Sequence, residues 1–266
     1  MIRQAYVSGQ FYPADVAGLK KQLETFIEKK VKKENALGIV APHAGYMYSG
    51  PVAGACYSRI RVTPTVVIIG PNHTGMGEPF SLMSKGTWQM PLGNVEINTE
   101  LAEAIRRRSK YLQQDSQAHL HEHSIEVQIP FLQYFLPEVR IVPLILAGAD
   151  FAVYAEIGAA IAGAIKENKP ALIVASSDMT HYLPHEKAKS LDALAIERIL
   201  KLDVQGLLDL VKEKNISMCG YGPVACMLSA VKELKGRGAQ LIKYQTSGET
   251  GGDYSSVVGY AGIVVK

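Results

Sequence analysis

Leu172-Ile173-Val174-Ala175-Ser176-Ser177-Asp178-Met179-Thr180-His181 is the stretch whose reading decides the fold. Four apolar residues run into a polar turn, and the turn ends on a histidine. The pattern occurs twice more. Gly38-Ile39-Val40-Ala41 leads into Pro42-His43, and Val66-Val67-Ile68-Ile69 leads into Gly70-Pro71-Asn72-His73. Short apolar runs bounded by Gly and Pro read as buried strands. Ligand sites in α/β sheets lie beyond the carboxyl ends of the strands. One rule therefore sends three histidines, distant in sequence, to one rim, and a metal site is the simplest use for them.

Outward from these strands the chain alternates. Asp15 caps a predicted helix with Val16, Leu19, Leu23, Phe26 and Ile27 on one face. Ser49-Gly50-Pro51 reads as the start of a second helix. Residues 75–95 read as loop with short strands, and 99–109 as a helix with acidic residues early and arginines late. A helix is expected over 123–136, kinked or shifted by Pro130, then a strand from Val139 to Leu146 and an Ala-rich helix over 151–167. Helices near 186–200 and 204–214 follow, and Cys219-Gly220-Tyr221-Gly222-Pro223 opens another that runs to about residue 235. Residues 239–246 and 256–265 read as strands that can pair antiparallel, with Gly248 to Gly252 a flexible link. The alternation predicts an α/β fold: a single domain over 1–266, with a central, mostly parallel or mixed sheet and helices on both faces.

Composition narrows the function. Apolar residues make up 47% of the chain, the usual share for a globular core. The 28 basic and 25 acidic residues leave a net charge of +3, too little to argue for nucleic acid. No apolar stretch reaches the ~18 residues of a membrane span, and no secretory signal is expected from the first residues. Three cysteines without a close pair (Cys56, Cys219 and Cys226) fit a reducing cytoplasm.

Several residue types bear on chemistry. Neutral imidazole is a common ligand for iron, copper and zinc, although a lone strand-end histidine is more often just a hydrogen-bonded loop residue. Cys219 precedes a predicted helix N-terminus, a position that lowers a thiol pKa. Cys56 and Cys226 lie inside predicted helices and read as small buried apolar residues. In His119-Leu120-His121-Glu122-His123-Ser124, a Ser124 cap would put His123 at a helix start, where imidazolium is disfavoured. Asp178 lies three residues before His181 and can orient it, or can cap a helix instead. His185 reads as part of a solvated face. The Ser247 to Asp253 segment has no phosphate-loop ending and reads as a mobile loop near the site.

With these residues in view, the chain resembles the Memo family (mediator of ErbB2-driven cell motility), in its prokaryotic branch called AmmeMemoRadiSam system protein B. The matching stretches include Ala5 to Pro13, Ala41-Pro42-His43-Ala44-Gly45-Tyr46, Gly70-Pro71-Asn72-His73, Glu122-His123-Ser124-Ile125-Glu126, Ser177-Asp178-Met179-Thr180-His181-Tyr182, Cys219-Gly220 and Asp253-Tyr254-Ser255. That family is similar in fold to class III extradiol ring-cleavage dioxygenases, which hold Fe(II) with two His and one Glu. The resemblance implies His43, His73 and Cys219 as metal ligands, with Cys219 in the place of the Glu. It implies His123 as the acid–base group, with Asp178 and His181 in the same pocket. Fe(II) or copper is the implied cofactor, and a radical-SAM protein an implied partner.

The leading expectation is a metal-dependent redox protein, with His123 and His181 moving protons and Asp178 orienting His181. A thiolate in place of the carboxylate weakens the transfer of dioxygenase chemistry, because fold alone does not carry reaction. Two other classes stay open: a scaffold that binds a peptide or phosphopeptide in the degenerate pocket, and an iron or copper delivery protein.

Overall fold

The computed structural model describes residues 1–168 and 170–266. The first half holds β1 (Ile2–Gln4), α1 (Val16–Phe26), β2 (Gly38–Ala41), α2 (Tyr46–Ser58), β3 (Thr65–Pro71), β4 (Phe80–Leu82), β5 (Thr87–Met90), β6 (Gly93–Glu96), α3 (Thr99–Arg106), β7 (Gln113–Gln114), α4 (Gln117–Leu120), a 3₁₀ turn (Glu126–Gln128) and α5 (Ile129–Phe135). The second half holds β8 (Arg140–Leu146), α6 (Phe151–Glu167), β9 (Leu172–Ser176), β10 (His181–Leu183), α7 (His185–Leu200), α8 (Val204–Glu213), α9 (Tyr221–Glu233), β11 (Ala239–Thr246), α10 (Ser247–Gly251) and β12 (Val257–Val265).

The main sheet is mixed. Its order runs β12-β2-β9-β3-β8-β4-β7, with β11 on the outer edge of β12 and β10 beside the start of β12. β2, β9, β3 and β8 are mutually parallel, and β12 joins antiparallel to β2 and β11. Every residue of β2, β3 and β9 is buried, which is why these strands read as continuous apolar runs rather than alternating ones. A small second sheet, β1-β5-β6, takes up the Gly- and Pro-rich region.

Helices cover both faces. A Cβ at Gly38 would meet Sδ of Met227 in α9 at 2.7 Å, and one at Gly262 would meet Cβ of Cys56 in α2 at 3.1 Å. Gly38 pairs with Val265, an odd number of residues from Gly262, so the two-residue period puts α9 and α2 on opposite faces. Cys56 and Cys226 are buried in these two helices, as expected. Among the described residues, no helix is long and apolar enough to cross a membrane.

Three local expectations need correction. α2 begins at Tyr46, with Pro51 inside it. Tyr46 N–H donates to the Phe11 carbonyl and its hydroxyl to the Val127 carbonyl, so tertiary contacts start the helix one turn before the proline. The expected helix over 123–136 is a 3₁₀ turn followed by α5, with Pro130 in its first turn, where the missing N–H costs nothing. The Gly248 to Gly252 link is the one-turn helix α10, closed by a Thr246–Glu249 capping box.

Candidate metal centre

The parallel strands end together, and the turns after β2 and β3 bring His43 and His73 to one place. The third histidine that joins them is His123, from the segment between α4 and the 3₁₀ turn, and not the strand-end His181 that the sequence pattern places with them. His43 and His73 ring centroids lie 5.1 Å apart, His43 and His123 5.4 Å, and His73 and His123 4.7 Å. One ring nitrogen from each of His43, His73 and His123 lies within 4.8 Å of the other two, a group that could hold a metal ion.

Hydrogen bonds fix the tautomers. Ser176, the last residue of β9, donates its hydroxyl proton to the Ser124 carbonyl at 2.6 Å. Its oxygen is also 2.8 Å from Nε2 of Gln128 and 2.9 Å from Nδ1 of His43. With the serine proton spent, Nδ1 of His43 must be the donor, which leaves Nε2 with its lone pair free. Glu122 does the same for His73. Its carboxylate accepts from Nδ1 of His73 at 2.9 Å, from the His73 backbone N–H at 2.7 Å and from Ser124 N–H at 2.9 Å. It also lies 3.5 Å from Nδ1 of His123. Such outer partners hold ligand rings in place and raise their basicity. Burial acts to raise the Glu122 pKa, but the hydrogen bond and charge of His73, the Ser124 N–H and His123 outweigh it and hold it at about 2.

Burial, then the neighbouring imidazoles, pushes the His43 pKa well below the usual value. Burial likewise lowers that of His123. Ser124 does not cap a helix, since its hydroxyl donates to the Pro71 carbonyl; the expected dipole effect on His123 is replaced by desolvation. The His123 ring packs between Phe11 at 4.9 Å and His73.

Cys219 reaches the cluster through one member: Sγ lies 3.2 Å from Nε2 of His43. That nitrogen carries no proton, so the thiol donates to it. A Cβ at Gly220 would stand 2.4 Å from the Ser176 carbonyl oxygen and from Cβ of Ser177, so only glycine lets the Cys219 turn come this close. The expected lowering of the thiol pKa by the start of α9 is not found. Burial and then the charge of Asp178 push it up, because the thiol is withdrawn from water beside a carboxylate.

Asp178 and His181 do not form the expected pair. Asp178 accepts from the His43 backbone N–H at 2.7 Å, and burial pushes its pKa up. Nδ1 of His181 donates to the Ser217 carbonyl at 2.8 Å, and the His181 N–H donates to the Ser217 hydroxyl. His181 opens β10, and its ring is bonded to Ser217 rather than to Asp178. His121 is exposed against Tyr6, outside the cluster. His185 is half-buried, with Nδ1 2.9 Å from the Thr246 hydroxyl, rather than on a solvated face.

Glu122 and Ser176 were not singled out in the sequence. A signal existed for each. Glu122 is an acid between two histidines, and Ser176 is a polar residue closing a wholly apolar strand. The three histidines fit a metal ion, with the tautomers of His43 and His73 settled and the Cys219 thiol beside His43.

Comparison with known proteins bears on the chain as a whole. A family model described as Memo-like protein matches residues 3–264. A MEMO1 family protein of Methanopyrus kandleri is 44% identical over 281 residues, covering 100% of this chain and 99% of that protein. Another, from Methanothermobacter thermautotrophicus, is 45% identical over 274 residues, covering 98% and 99%. A third, from Pyrobaculum aerophilum, is 42% identical over 276 residues, covering 99% and 98%. Among solved structures, an uncharacterized protein of Escherichia coli K12 matches with a TM-score of 0.57 at 12% identity, over 85% of this chain and 98% of that one. That likeness shows the fold alone.

Proposed function

We propose that this chain, which belongs to the Memo-like protein family, is a metal-dependent redox protein that holds Fe(II) or copper with His43, His73 and Cys219. The observation that carries the reading is the proton bookkeeping at His43. Its Nδ1–H is committed to Ser176, and its Nε2 lone pair meets the Cys219 thiol at 3.2 Å. Removing that one thiol proton leaves a thiolate and an imidazole nitrogen side by side, with His73 adjacent. An imidazole–thiolate set suits iron and copper, and when bound such a metal supplies one-electron redox chemistry.

The chain's other residues take supporting roles. Glu122 holds His73 and limits the motion of His123. His123, kept neutral by burial, can accept a proton from a ligand entering beside Phe11. Nε2 of His181 is bare once Nδ1 donates to Ser217, so it can accept a second proton at the rim. Asp178 positions the His43 turn through its backbone N–H.

The test is anaerobic metal titration of wild type, Cys219→Ala, His43→Ala and His123→Ala. One metal per chain is expected in wild type and His123→Ala, with affinity lost in the other two and folding retained. Full binding in both Cys219→Ala and His43→Ala would overturn the ligand assignment.

A further inference from the structure

The main sheet ends on β11, whose strand partner among the described residues is β12 alone. Its free edge is not built for strand pairing. The register slips between Leu241 and Lys243, and an irregular register with a lysine on it is how native sheets blunt an edge. Beside that edge lies a groove between β11 and α7. Its apolar wall is Ala193, Ile196, Leu200, Leu241 and Tyr244, and Lys189 and Glu197 complete the lining. Tyr244 is fixed there, because its hydroxyl donates to the buried carboxylate of Asp192 at 2.7 Å. Leu194, next to Ala193 on α7, is 41% exposed.

The charges on the outer face of α7 follow an order that repeats, with signs reversed, when read backwards. Glu186, Lys189, Ala193, Glu197 and Lys201 are spaced three or four residues apart, so at 100° per residue they share about 120° of arc. All five are exposed. Ala193 is the centre. Lys189 and Glu197 lie four residues to either side of it, with Glu186 seven before and Lys201 eight after. Laid antiparallel on a second α7, alanine on alanine, Lys189 meets Glu197 and Lys201 meets Glu186. A solvated helix can use such charges within itself. Here Glu186 stands by His185 and Glu197 by Lys201, and Lys189 has no acidic partner among the described residues. The small side chain at the crossing point lets two helix axes approach closely.

We propose that this face is a self-association site whose occupant is a second copy of the chain, related by a two-fold axis through Ala193. Such an axis joins the two grooves side by side, brings Leu194 against its own copy and makes every contact twice. The apolar groove supplies the attraction. The charges set the direction of the pair, since exposed ion pairs add little and opposed like charges cost more. α7 has 16 residues and is about 24 Å long. One helix face with a groove beside it is less than the ~800 Å² per partner of a standard interface, so a micromolar dissociation constant is expected. The inference is independent of the metal reading.

The experiment is sedimentation velocity of the full chain from about 1 to 300 μM, a range that brackets a micromolar constant. Wild type should pass from monomer to dimer across it. Lys189→Glu opposes the partner's Glu197 at two places and should raise the dissociation constant at least about tenfold. Glu197→Lys should do the same. The double variant restores opposite signs and should return the constant to within about threefold of wild type. Ala193→Arg sets two arginines on the axis and should leave monomer at every concentration. Lys212→Glu makes the same charge change at an exposed position of α8 and should have no effect. Every substituted position is exposed, so the fold is retained, and circular dichroism checks it. Wild type that stays monomeric at the highest concentration overturns the proposal. So does a dimer that persists unchanged in Ala193→Arg, or one lost in both single charge variants and not regained in the double.

Discussion

Glu122→Gln isolates the part of the site that the sequence hid. Oε1 of Glu122 serves both the His73 ring and Ser124 N–H, and Oε2 serves the His73 backbone N–H. An amide keeps one oxygen. In its better orientation that oxygen stays on the ring and on Ser124, and the NH₂ is forced against the His73 N–H. One part-buried charge-assisted bond is lost, at a cost of about 1.5–3 kcal/mol to the fold. The His73 Nδ1–H then bonds a neutral oxygen, so the ring is less basic and less firmly aimed. Loss of such an outer partner weakens metal affinity about 10–100-fold, or roughly 1.4–2.7 kcal/mol. Chelator-competition titration of the loaded protein measures the second effect, and urea unfolding of the metal-free protein measures the first. A folded Glu122→Gln protein with metal affinity within about twofold of wild type would refute the idea that this carboxylate sets the site.

Other perturbations probe separate contacts. Ser176→Ala frees Nδ1 of His43 and should lower metal affinity about tenfold, with Ser176→Thr partly restoring it; the same titration decides. Glu126→Ala should destabilise the protein by about 3–5 kcal/mol in urea unfolding, because Arg3, fully buried with its guanidinium 2.5 Å from Glu126, loses its partner. The same change removes the acceptor of the Tyr6 and Val7 N–H groups and of the Tyr12 hydroxyl, so a cost under about 1 kcal/mol would contradict the buried-pair account. His119 is buried, and desolvation, with Arg3 nearby, lowers its pKa to about 3 from the ordinary 6.5. Between those values the unfolded chain binds one proton more than the folded one, so this group's contribution to stability is full above about pH 6.5 and lost as pH falls, at about 1.4 kcal/mol per pH unit. Stability measured from about pH 4 to 6 should therefore fall less steeply in His119→Gln, and equal slopes would contradict the assignment.

The parallel strands and the meeting of His43 with His73 were legible because both rest on local signals: apolar runs and the turns that end them. β2, β3 and β9 are buried on both faces, so their runs are unbroken. What was not legible depends on contacts between distant segments. Tyr46 starts α2 early because it bonds Phe11 and Val127. His181 follows Ser217, 36 residues away, and not the nearby Asp178. Cys219 lies where a helix start would lower its pKa, yet burial beside Asp178 raises it. His123 was read as a proton carrier, and its ring also stands within ligand range of His43 and His73. Sequence spacing had no access to that proximity.

That double position of His123 makes one comparison decisive: the absorption spectrum of the Co(II)-loaded protein in wild type, Cys219→Ser and His123→Ala. The account predicts one Co(II) per chain with a thiolate-to-cobalt band in wild type and in His123→Ala, and loss of that band in Cys219→Ser. A wild-type spectrum without the band, together with loss of cobalt on removing His123, would contradict it and would make the centre an all-histidine site.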